Sequence, residues 1–161
     1  SLEQNGAKVS DESKELAQEE LKTLSQINDE NSGKSNYDAD KLNVAMTDIK
    51  TAVADKGNKL TDDQAKTIVQ RTINNYNLNL SDTQINLLVN FALNLSKSSI
   101  IDSASFKSSL SSLKASIVSK AGDTFSGINL NFDANQTLEN SKNIFAQIWQ
   151  DIVDFFTGLF R

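Results

Sequence analysis

Two segments of the chain, twenty residues apart, repeat one local design. "LTDDQA" (Leu60 to Ala65) and "LSDTQI" (Leu80 to Ile85) each place a hydroxyl residue after leucine and a glutamine three positions on. In this arrangement Thr61 or Ser81 accepts from the backbone N–H of the third helical residue, while Gln64 or Gln84 reaches back to the N–H of the cap. Leu60 packs on Ala65 and Leu80 on Ile85 as hydrophobic staples that set the angle at which the chain joins each helix. Two helix starts are therefore legible to the residue. Because the chain has no proline, no ring interrupts the helices that follow. An all-α fold is the expectation.

The rest of the chain fits around these anchors. Residues 1–9 are polar and aperiodic and read as a frayed lead-in to a single helical domain over residues 10–161. Ser10 or Ser13 is the expected cap of a first helix that ends near Ile27, followed by the loop "NDENSGKSN". A second helix opens at Asp38 or Asp40. Its Leu42, Ala45, Met46, Ile49, Ala52 and Val53 form one stripe at steps of three and four, and Gly57 suits its end. The third helix runs from Thr61 to about Tyr76 and the fourth from Ser81 to about Lys97. The fourth has apolar residues on more than one side, which predicts that it is surrounded by other helices and is the most buried. A serine-rich fifth helix carries Phe106, Leu110, Leu113 and Ile117, and a sixth spans residues 137–160. Two copies of the capping box are too few for a repeat array, so consecutive helical hairpins are the better account. The expected architecture is an irregular bundle of five to six helices.

Composition narrows the chemistry. At 161 residues the chain buries roughly 70% of its unfolded surface in one core. It carries a net charge of −5 and only two arginines, Arg71 and Arg161, which is not the basic footprint of a nucleic-acid binder. The chain has neither Cys nor His, so thiol catalysis, disulfides, imidazole bases and the usual zinc ligands are excluded. No cofactor-binding motif or nucleotide-cradling glycine loop is present, and no run of eighteen apolar residues occurs. A mature secreted protein and a cytosolic one would look alike by these measures. The Cys-free, Ser- and Asn-rich composition is of a kind common in exported proteins of Gram-positive bacteria.

Four segments carry a resemblance. "ELAQEEL" (Glu15 to Leu21), "DIKTAVA" (Asp48 to Ala54), "LTDDQAKTIV" (Leu60 to Val69) and "LSDTQINLLVNFALNLSKS" (Leu80 to Ser98) resemble successive helices of a bacterial family catalogued as domain of unknown function 1002. The resemblance covers roughly residues 10 to 120. It implies a secreted, all-helical protein, found mainly in Gram-positive bacteria, of which this chain would be the C-terminal half. It supplies no activity, cofactor or catalytic residue.

The candidate interaction surface lies at the C-terminus. Phe145, Ile148, Trp149, Ile152, Phe155, Phe156 and Leu159 form one broad apolar face, opposite Gln147, Gln150, Asp151, Asp154 and Thr157. Burying one such Phe or Leu is worth about 1.5–3 kcal/mol, so the face must be covered. Docking on its own bundle is the expectation. A partner protein or self-association with a second copy is the alternative, and the aspartates opposite disfavour contact with an anionic membrane surface.

Other candidates are weaker. For calcium, "NYDAD" (Asn36 to Asp40) and "NLNFDANQTLE" (Asn129 to Glu139) lack the glycine and glutamate of an EF-hand loop, so their acids read as helix caps. The carboxylate pairs Glu19 and Glu20, Asp62 and Asp63, and Asp151 and Asp154 read as solvated faces or helix-start charges rather than facing catalytic acids. Lys107 and Lys114 share one side of the fifth helix and read as solvated surface. The expected function is a secreted or cell-surface, non-catalytic binding or scaffolding module whose partner is a protein or cell-envelope component. The alternatives are a small extracellular cell-wall enzyme working through carboxylates, and a helical carrier of an apolar ligand.

Overall fold

The computed structural model describes residues 2–57 and 60–98, then residues 101, 110–111, 114–115 and 117–119, with side chains from Glu15 onward. All regular structure among these residues is helical: α1 (Leu2–Asn31), α2 (Ala39–Lys56), α3 (Asp62–Asn75) and α4 (Asp82–Ser96). Residues 110–111, 114–115 and 117–119 are also helical, in the span expected of the fifth helix. The fold is an all-α bundle.

Local chemistry sets most boundaries. Asp38 caps α2, accepting from the backbone N–H of Asp40 at 2.8 Å and of Lys41 at 3.2 Å. Both capping boxes form. Thr61 Oγ1 accepts from Gln64 N at 3.1 Å while Gln64 Oε1 accepts from Thr61 N at 3.0 Å. Ser81 Oγ accepts from Gln84 N at 3.2 Å while Gln84 Oε1 accepts from Ser81 N at 3.0 Å. At the other end of α2, Gly57 holds φ at +80°, a conformation that side chains with a Cβ rarely adopt, and its N–H meets Val53 O at 3.0 Å. The end of α3 is a Schellman motif built on asparagine. Asn77 sits at φ +54°, its N–H meets Asn74 O at 3.1 Å, and Leu78 N meets Ile73 O at 3.1 Å.

The first helix departs from expectation at both ends. It is helical from Leu2, ahead of Ser10 and Ser13, so neither serine is its N-cap. Serine is only mildly unfavourable inside a helix, and no proline stands in the way. At the other end α1 continues past Ile27 to Asn31, through residues that composition assigns to a loop. The extra turn carries the Asn31 side chain to Gln84, where it is 3% exposed. A tertiary partner overrides local composition here.

Residues 57–61 join α2 to α3 and residues 76–81 join α3 to α4; connections this short make sequence neighbours pack as hairpins. Helix α4 packs on α1, α2 and α3 alike, which is why apolar residues stand on more than one of its sides and a narrow strip, Asp82, Asn86, Asn90 and Asn94, is left exposed. Leu88, Phe91, Ala92 and Leu95 are fully buried within it. Helix α2 is as deeply set, burying nine residues against seven in α4. Its Leu42, Ala45, Met46, Ile49 and Val53 are buried as the stripe predicts, but so is Lys50, on which the periodicity is silent. Ile101 and Leu110 join the same core from beyond α4.

Candidate functional site

Three polar clusters lie within or against the bundle. Between α1 and α2, Lys50 Nζ donates to both Glu20 carboxylate oxygens at 2.8 and 2.9 Å, with the side chains 0% and 8% exposed. An ion pair this deep needs close geometry on both partners to offset lost hydration, and the two-oxygen contact supplies it. Glu20 is therefore no part of a solvated acidic face. Its neighbour Glu19 turns to α4 and accepts from Asn94 Nδ2 at 2.8 Å.

The second cluster ties two distant parts of the chain to Asp48 on α2. The Tyr76 hydroxyl donates to Asp48 Oδ2, and Lys114 Nζ meets Asp48 Oδ1 at 2.8 Å. Burial, then the hydrogen bond to Asp48 and the charge of that carboxylate, hold the Tyr76 phenol well above the ordinary tyrosine range. The expectation that Lys114 is a solvated surface lysine is overturned, since it is 7% exposed and paired. Serine-rich surroundings made it look like surface; the partner that buries it lies far away in sequence.

The third cluster uses all the hydrogen-bonding capacity of one amide. Besides closing the α4 capping box, Gln84 Oε1 accepts from Asn31 Nδ2 at 3.1 Å. Gln84 Nε2 donates to Asn31 Oδ1 and to Glu30 Oε1, each at 2.9 Å. The sequence shows the half of Gln84 that faces its own helix and not the half that grips α1.

Two clefts open on the surface of the described residues. A cleft of about 470 Å³ lies at the turn from α1 to α2, lined by Ser25, Asn28, Asp29, Ser32, Tyr37 and Asp38 among others. Tyr37 is half-buried in it and donates its hydroxyl to Asn28 Oδ1. Burial, with the nearby Asp38 charge, pushes that phenol up to about 12. The turn is fastened from behind: Asn79 N meets Asn36 O at 2.9 Å, Lys34 N meets Asn31 O at 3.0 Å, and Gly33 and Asn36 hold positive φ. A smaller cleft of about 280 Å³ lies between α1 and α4, lined by Glu15, Leu16, Glu19, Asn94, Lys97 and Ser98. Its two glutamates stand one turn apart on the same helix, side by side rather than facing across a gap.

The aromatic face Phe145, Ile148, Trp149, Ile152, Phe155, Phe156 and Leu159 lies outside the described residues, as do Lys107, the Asn129–Glu139 segment, and Asp151 and Asp154. Of the remaining candidates, Asp62 and Asp63 are exposed in the first turn of α3, where negative charge complements the helix dipole. The "NYDAD" acids serve α2: Asp38 is its cap and Asp40 lies in its first turn. Among the described residues no group of three or more acids is arranged to hold a metal ion, and no helix is long and apolar enough to cross a membrane. Periodicity misses the Tyr37 cleft; its one signal is an aromatic residue inside an otherwise polar loop.

The fold is that of a small helical bundle whose deep charges are matched within it. Among known families, the one described as "Protein of unknown function (DUF1002)" matches residues 1–113, and the chain belongs to it. No curated protein and no solved structure matches the chain.

Proposed function

We propose that this chain is a non-catalytic binding or scaffolding module, secreted and held at or near a bacterial cell surface, with a protein or envelope component as its partner. The observation that carries this reading is where the charged side chains go. Glu20, Lys50, Asp48 and Lys114 pair with one another and hold helices in register, which is a structural use of charge. The open polar cleft beside Tyr37 offers a surface that takes a ligand without a buried acid or base to transform it. Export is in keeping with a chain free of cysteine and rich in serine and asparagine. In this reading the aromatic segment 137–160 docks on the bundle that carries it, because attachment makes its local concentration high.

Incubating the purified chain with isolated Gram-positive cell envelopes tests the proposal, alongside a version truncated after Asp133. Retention on the envelopes with no release of soluble glycan is the expected result. Failure to sediment with them, or measurable release of reducing sugar, would overturn the reading. Light scattering accompanies the assay: a full-length dimer that becomes monomeric on truncation would show that the aromatic segment docks on a second copy.

A further inference from the structure

Resting on the binding-module reading, we propose that the cleft at the α1–α2 turn is a saccharide site, selective for neutral or amino sugars over acidic ones. Its volume of about 470 Å³ falls within the range of small-molecule sites, roughly 300–1,000 Å³. Such sites are mostly apolar; this one mixes hydroxyl, amide and carboxylate groups with the Tyr37 ring, Gly33 and Ala39. The ligand it suits therefore brings many hydrogen-bonding groups and one apolar face. A pyranose ring does both, with hydroxyls around its edge and C–H groups on its face.

The charges narrow the choice. Asp29 and Asp38 are acceptor-only groups, so the ligand must donate to them through hydroxyl or ammonium groups, and a ligand that also carries a phosphate or carboxylate is repelled by the two aspartates. Asp38 is already oriented by capping α2 through its Oδ1. Tyr37 is held in place by its hydrogen bond to Asn28, so its ring is set before a ligand arrives. The turn itself is pinned to the α3–α4 connection through Asn36 and Asn79, and Asn31 is locked to Gln84. Such preorganisation lowers the ordering cost that weakens binding at a loop.

The test is amide NMR of the isotope-labelled full chain, titrated with three probes: tetra-N-acetylchitotetraose, cellotetraose and tetragalacturonate. Either neutral probe, at up to about 10 mM, should shift amides clustered within residues 25–39, with tetragalacturonate at least about tenfold weaker. Tyr37→Ala should weaken the neutral probe at least about tenfold, and the exposed Asp29→Ala about threefold or more, with the remaining spectrum unchanged. Should Tyr37→Ala perturb the fold, Asp29→Ala alone decides. The inference falls if neither neutral probe shifts those amides, if the shifts map elsewhere, or if a folded variant binds as the parent does. Envelope retention that survives such a failure would leave the module reading standing, whereas loss of retention would remove both.

Discussion

Breaking the Glu20–Lys50 pair should cost more than the pair itself contributes. At 2.8 Å, and at the effective dielectric of about 20 that suits protein sites, the attraction between the two charges is ~6 kcal/mol. Removing both ions from water costs several kcal/mol each, so the intact pair is worth little relative to well-packed apolar side chains. Glu20→Gln keeps the shape and removes the attraction between the Glu20 carboxylate and the Lys50 ammonium, which is 0% exposed. A loss of about 3–5 kcal/mol is expected, a large share of the roughly 5–15 kcal/mol that holds a typical domain together. The double variant Glu20→Leu with Lys50→Met, apolar on both sides, should instead fall within about 1 kcal/mol of the parent or exceed it. Urea unfolding followed by circular dichroism measures all three, with matching slopes confirming a common unfolded state. Two results would refute the reasoning. One is a Glu20→Gln loss below about 1 kcal/mol, meaning the ammonium reaches water at little cost; the other is a double variant at least as damaged as the single.

Leu88→Ala, at the fully buried centre of α4, should lose about 2–5 kcal/mol through lost burial and the cavity left behind, as read by the same urea experiment. Thr61→Ala and Ser81→Ala should each lose about 1 kcal/mol, while Gln84→Ala should lose more than Gln64→Ala because Gln84 also bonds Asn31 and Glu30. The raised Tyr76 phenol gives an alkaline signature. In the unfolded chain tyrosine ionises near about 10, so above that pH the folded state binds more protons and stability falls as pH rises, by up to about 1.4 kcal/mol per unit. The stability advantage of the parent over Tyr76→Phe is thus full below about pH 10 and shrinks above it; an advantage that stays constant from about pH 9 to pH 11.5 would show that the phenol does not titrate this way.

What the sequence determines by itself is local. The caps at Asp38, Thr61 and Ser81 and the glycine stop at Gly57 are legible because a backbone group and its side-chain partner, or a backbone angle and the residue that tolerates it, lie within a turn of each other. The stripes of α2 and α4 are legible for a related reason, since burial of one face repeats at the helical period. Only the tertiary structure decides the rest. Glu20 meets Lys50 thirty residues on, and Asn31 meets Gln84 across fifty-three. Those partners are set by how α1 lies on α2 and α4, and no local pattern encodes that register. The same cause lengthens α1 through a polar stretch, buries Lys114 among serines and shapes the cleft around Tyr37. A buried charge is affordable only where another part of the chain brings the opposite one, and that is a property of packing rather than of any single segment.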